Sequence, residues 1–174
     1  MLSREHILKY LQQLGEELAA RDLSGEILLT GGAAMCLVHE ARDMTKDVDA
    51  LYEPKTIINS IAADIAEQNG LPKGWLNDSV KGFVGANAPI EDFIVFKGLR
   101  VQSVSAEYLL AMKLMSARYG EKDYDDIKFL FNKLGVNTID RANEIVQAYF
   151  MKNQIMPKTQ YVIEEIISEM QDRE

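Results

Sequence analysis

The chain has 174 residues, a net charge of −8 and one cysteine, Cys36. A chain this long buries roughly 70% of the surface its unfolded form exposes, so a core needs neither disulfides nor a structural metal. The acidic balance argues against a broad electrostatic footprint on DNA or RNA, and no apolar run approaches the ~20 residues that span a bilayer. Neither end reads as a signal peptide, and the expected location is the cytoplasm.

Residues 3–21 carry Ile7, Leu8, Leu11, Leu14 and Leu18 at three- and four-residue steps, the pattern of an amphipathic helix, with Ser3 as its N-cap. A short apolar strand over 26–30 leads through Gly31-Gly32 into a small-residue helix over 32–41. A strand over 46–52 stops at Glu53-Pro54, and Lys55 to Gln68 reads as a second amphipathic helix closed by Gly70. From Leu71 to Pro89 the pattern collapses into turn-rich sequence with a short helix around Trp75–Lys81, the signature of a lid or binding loop. Two strands, 92–96 and 99–104, follow as a hairpin on the Lys97-Gly98 turn. Ser105 caps a helix through Arg118, a further helix runs from about Lys122 to Leu134 and stops at Gly135, and the rest is helical with a break at Pro157. This order predicts an α+β fold with a small mixed sheet and a helical C-terminal half.

Asp47-Val48-Asp49 is the feature richest in chemistry. Side chains alternate along a strand, so two aspartates separated by one residue share a face. Two oxygen donors so close suit a hard divalent cation such as Mg²⁺ and repel each other without one. The Gly31-Gly32 turn at a strand–helix junction exposes backbone N–H groups to a phosphate. Arg42 and Lys46 stand just before the dyad, and Lys113, Arg118 and Lys122 cluster later.

The glycine turn, the dyad and the element order together resemble the nucleotidyltransferase fold of the polymerase beta superfamily, with fourteen residues between Gly32 and Asp47. The run Leu109 to Leu114 with Lys113 inside it, then Arg118 and Lys122-Asp123-Tyr124-Asp125-Asp126-Ile127, resembles bacterial nucleotidyltransferase-like proteins related to the AbiEii toxins. The resemblance implies a nucleotidyltransferase-like core over 1–104 with a helical region over 105–174 packed on it. It implies Asp47 and Asp49 on Mg²⁺ or Mn²⁺, and Gly31, Gly32, Lys113 and Arg118 on an NTP. Lys46, Lys122, Asp123 and Asp126 would support that site. The implied activity moves NMP from the NTP to a hydroxyl of RNA, a protein or a small molecule, in a toxin that pairs with an antitoxin protein.

Each assignment has a plainer counterpart. The dyad could pair with Arg42 and Lys46, the glycines could make a tight turn and nothing more, and Lys113, Arg118 and Lys122 could pair with Asp123, Asp125 or Asp126. Superfamily enzymes commonly add a third carboxylate on a later strand as general base, but Leu99–Val104 contains no acid. Asp78, Glu91 and Asp92 are substitutes among which the sequence does not choose. A degenerate relative that binds a nucleotide or partner without chemistry is the alternative. Cys36 and His39, three apart, could share a metal but suit packing better. Trp75, Phe83 and Phe93 could stack a base, or anchor core and loops.

Overall fold

In a computed structural model, which describes residues 1–117 and 123–172, the chain begins with strand β1 (Leu2–Ser3) and helix α1 (Arg4–Ala20). The Ser3 hydroxyl accepts a hydrogen bond from the His6 amide at 3.2 Å, the N-cap expected. Ile7, Leu11, Leu14 and Leu18 form the fully buried stripe. Leu8 is only half-buried, and Tyr10 and Gly15 take places on the buried side instead.

The first compact unit comprises Met1–Val84 and Ile90–Val104. After α1 come β2 (Gly25–Leu29), α2 (Gly31–Leu37), β3 (Met44–Thr45), β4 (Val48–Glu53), α3 (Lys55–Asn69), β5 (Leu76–Asn77), a single 3₁₀ turn at Ser79–Gly82, β6 (Ile90–Phe96) and β7 (Leu99–Val104). Five strands make a mixed sheet in the order β5-β4-β2-β7-β6, while β1 and β3 pair separately. Strand β2 runs antiparallel to β4 and parallel to β7. The chain is therefore α+β.

One face of this sheet is core: Ile27, Leu29, Val48, Ala50, Leu99 and Val101 are nearly or wholly inaccessible. Helices α1 and α3 supply its cover, since a Cβ at Gly25 would touch the side chains of Leu18 and Ile58. The opposite face alternates in polarity. Glu26 and Arg100 are exposed there, and Leu28, Asp49, Leu51 and Gln102 half-exposed.

The second unit comprises Gly85–Pro89 and Ser105–Glu174. Helix α4 (Ala106–Ser116) is its centre, packed against α5 (Asp123–Leu134), α6 (Ile139–Tyr149) and α7 (Pro157–Gln171). An almost wholly apolar sequence suits a helix covered on several sides, and Leu109, Leu110, Ala111 and Leu114 are fully buried. Ser105 caps it, accepting from the Tyr108 amide at 3.3 Å. Pro157 opens α7, where its missing N–H costs nothing, rather than kinking a longer helix. The boundary expected at 104/105 coincides with one of the crossings between units, but residues 85–89 belong with the helices. The Gly85 amide donates to the Tyr108 hydroxyl at 2.7 Å and the Ser105 amide to the Pro89 carbonyl at 2.9 Å.

Helix α1 passes so close to the β6–β7 turn that a Cβ at Gly15 would lie 2.6 Å from the Lys97 carbonyl oxygen. Backbone cannot yield as a flexible side chain can. Gly15→Ala should lower stability by about 1–3 kcal/mol despite alanine's better helix propensity. Gly74→Ala, with nothing within 4 Å of its new methyl, should stay within about 0.5 kcal/mol of the parent. Urea unfolding of the two variants checks this; equal stabilities would refute the close-approach account.

Candidate functional site

Strand β2 ends at Leu29, and the chain turns at once into α2. Gly31 makes that turn with φ +56, the left-handed region where a side chain is strained. A Cβ there would also lie 3.3 Å from Asp49 Oδ2. The Thr30 amide donates to the Asp49 carbonyl at 3.2 Å, carrying the β2–β4 ladder up to the bend. A carboxylate of the dyad and the diglycine bend therefore meet.

Gly32 has its own neighbours: a Cβ would lie 2.7 Å from Thr45 Oγ1 and 3.5 Å from Arg42 Nη1. Thr45 is 3% exposed and held by its pairing with Leu2 across β1–β3. Its hydroxyl donates to the Asp47 carbonyl at 3.2 Å. The two-residue strand β3 thus fixes the segment that delivers the dyad. Both glycines have structural reasons to be glycine, which a tight turn shares with a phosphate site.

Two sequence-based boundaries change here. Helix α2 stops at Leu37 rather than residue 41, and the Leu37 carbonyl accepts from Arg4 Nε at 3.3 Å. Strand β4 starts at Val48 rather than 46, so Asp47 lies on the bend before it and Lys46 is exposed. Asp49 follows the strand pleat; the direction of Asp47 is set by the bend.

Parallel pairing of β4 with β5 puts Asn77 in register with Asp49, on the same sheet face. Sequence reading missed Asn77 because a two-residue strand is too short to show alternation. The preceding Trp75 anchors it: the indole is 1% exposed and donates to the Ala62 carbonyl at 2.9 Å. Trp75 is therefore core, whereas Phe83 is 71% exposed. Asn77 in turn receives the Ser79 amide at 3.0 Å.

The three substitutes for a third acid can now be placed. Asp92 lies on β6, three strands from β4, which at about 4.8 Å per strand is about 14 Å away, too far to share a metal with Asp49. It accepts from Arg100 at 3.0 and 2.9 Å and from Gln102 at 2.9 Å. Those bonds, the Arg100 one foremost, hold its carboxyl below the usual range, which makes it a poorer base. Glu91 shares that distant strand. Asp78 follows Asn77 and is bound by the Lys55 ammonium, which likewise lowers its carboxyl. Among the described residues no group of three or more His, Cys, Asp or Glu is arranged around a metal position.

In the second unit, Lys113 is 6% exposed. Its ammonium lies 3.0 Å from Asp123 and 2.6 Å from Asp126, whose side chains come from the first turn of α5. These sequence-predicted residues come together as an ion cluster in which Lys113 and Asp126 are buried and Asp123 is half-exposed. Arg118 and Lys122 lie outside the described residues. Compared with protein families, curated proteins and solved structures, the chain matches none.

A lone charge left in such a site is costly. Lys113→Met should destabilise by about 3–5 kcal/mol, because Asp126 would stay buried without its cation; Lys113→Met with Asp126→Leu should recover part of the loss. Chemical unfolding of the single and double variants checks both, and a single variant of parental stability would show the cluster contributes nothing.

The Asp92 pairing sets a pH dependence. Its folded-state carboxyl is depressed, so its contribution is present above the unfolded value near 4 and is lost as pH falls through the lower folded value. The stability difference between the parent and Asp92→Asn, measured in urea, should shrink as pH is taken below about 4. A difference constant across that range would contradict the assignment.

Proposed function

We propose that this protein is a Mg²⁺-dependent nucleotidyltransferase that moves NMP from an NTP to a hydroxyl on RNA, a protein or a small molecule. The observation behind this reading is the approach of Asp49 Oδ2, 3.3 Å from where a Cβ of Gly31 would lie, which sets a carboxylate oxygen beside the diglycine bend. Two carboxylates fit Mg²⁺ (or Mn²⁺) when substrate phosphates and water complete the shell. Asp47 and Asp49 would hold the ion, whose chemistry is to neutralise charge as the α-phosphorus is attacked.

The chain's own residues divide the remaining work. Gly31 and Gly32 let backbone approach the phosphates without a side chain between. Thr45, through the Asp47 carbonyl, holds the bend that presents Asp47. The roles that the family resemblance implies, Lys113 and Arg118 on the NTP with Lys46, Lys122, Asp123 and Asp126 in support, belong to the same proposal. The resemblance to toxin relatives makes an antitoxin protein the partner to seek. Cytoplasmic location belongs to the same reading; no helix among the described residues is long and apolar enough to cross a membrane.

A second reading is favoured by one observation: Asp92 and Asp78 are each bound to a cation, and β7 carries no acid. A protein so built could bind a metal–nucleotide pair and do no transfer. Incubation with α-labelled NTPs and Mn²⁺ across RNA, protein and small-molecule acceptors separates the two readings. Label transfer establishes the enzyme; saturable binding without transfer establishes the binder.

Both readings expect the dyad to matter for binding and little for folding, since Asp47 and Asp49 are half-exposed. At NTP one-hundredfold above its dissociation constant the parent should gain about 2.7 kcal/mol. Asp47→Ala and Asp49→Ala should each lose that gain while unfolding near the parental temperature without ligand. Thermal unfolding with and without Mn²⁺ and NTP is the measurement, and retained stabilisation in both variants would refute the site.

A further inference from the structure

The second unit carries a surface that the nucleotide reading does not use. A cavity of about 640 Å³ opens among residues of α5 and α7, lined inside by the buried Ala117, Tyr124 and Val162. Tyr161 also lines it yet is 70% exposed, so a large ring stands in water beside an apolar hollow. We infer that α7 is a self-association surface: a second copy of this chain docks antiparallel along it, and Tyr161 of each copy enters the cavity of the other.

The order of charges along α7 selects that partner. Lys158 stands one turn before Tyr161 and Val162, and Glu164 and Glu165 stand one turn after them. Residues three and four apart on a helix are neighbours, and all five line the cavity. The surface therefore runs from a cation through an aromatic and an aliphatic residue to two acids. A two-fold axis near Tyr161 and Val162 reverses the helix, which brings Lys158 of each copy to Glu164 and Glu165 of the other. An isologous contact requires a patch complementary to itself, and this order of residues meets that requirement. A parallel alignment in register would instead set lysine against lysine and acid against acid.

The groups involved can make these contacts. Lys158 is exposed and has no ion pair among the described residues. Glu164 accepts from Gln160 Nε2 at 2.9 Å and Glu165 from the Tyr124 hydroxyl at 2.6 Å. A carboxylate offers about four acceptor sites, so each acid has room for an ammonium as well. The Tyr124 bond also holds the cavity wall to α7. On the other side of α7, Ile163, Ile166 and Ile167 are buried, so the helix can present its outer surface without moving. Burial of two tyrosine rings supplies the affinity. The ion pairs at the rim add little strength but fix the direction of docking.

Sedimentation equilibrium of the full chain tests this. The parent should interconvert between monomer and dimer with a dissociation constant in the micromolar range. Tyr161→Ala should weaken the dimer about thirtyfold or more, because two buried rings are lost at once. Lys158→Glu and Glu164→Lys should each weaken it about tenfold, since each sets like charges face to face. An equimolar mixture of those two variants should dimerise as tightly as the parent, a rescue that only pairing between chains can give. A parent that stays monomeric throughout the micromolar range overturns the inference. So does a dimer indifferent to Tyr161→Ala, or a mixture no tighter than either charge variant alone. If Tyr161→Ala fails to fold by circular dichroism, the two charge variants and their mixture decide.

Discussion

The placement of the Asp49 carboxylate against Gly31, at 3.3 Å from where a side chain would begin, is the constraint on which the proposed site of the first unit depends. The contact can exist because β2 and β4 are adjacent and antiparallel, which sets the end of one strand beside the start of the other. A glycine is needed because the backbone turns in the left-handed region there. The short β1–β3 pair, which looks incidental, keeps the approach in place: it holds Thr45 against Gly32 and, through Thr45, the bend carrying Asp47.

Sheet geometry bears differently on the binding and the transfer steps of the proposed function. Substrate phosphates can complete a shell around an ion held by two carboxylates, so binding asks for no further acid. Deprotonating an acceptor does ask for a base within hydrogen-bond reach of the reacting hydroxyl. Asp92 is three strands away and gripped by Arg100 and Gln102, and Asp78 is gripped by Lys55. The base would then have to come from the acceptor, from water, or from elsewhere in the chain.

Charge in this acidic chain is local rather than broad. Lys113 and its two aspartates join the start of α5 to α4, and burial makes Lys113 and Asp126 dependent on each other, with Asp123 half-exposed beside them. Arg42 sits half-buried beside the bend. A negative protein can recruit a negative ligand if its cations are focused in one place and its acids are paired or coordinated elsewhere.

Much of the architecture was legible in residue order. The stripe of α1, the caps at Ser3 and Ser105, Gly70 and Gly135 as helix stops, and the Lys97-Gly98 hairpin all rest on interactions a few residues apart, which a linear pattern records. The sequence by itself also determined the α+β class and brought Gly31, Gly32, Asp47 and Asp49 forward as one set. Only the tertiary structure decided what depends on strands distant in the chain: Asn77 beside Asp49, Thr45 and Arg42 beside Gly32, and Asp92 neutralised far from the dyad. Two-residue strands carry too little alternation to be seen in a sequence, and which acid meets which cation is settled by register between segments, a quantity that no local spacing contains.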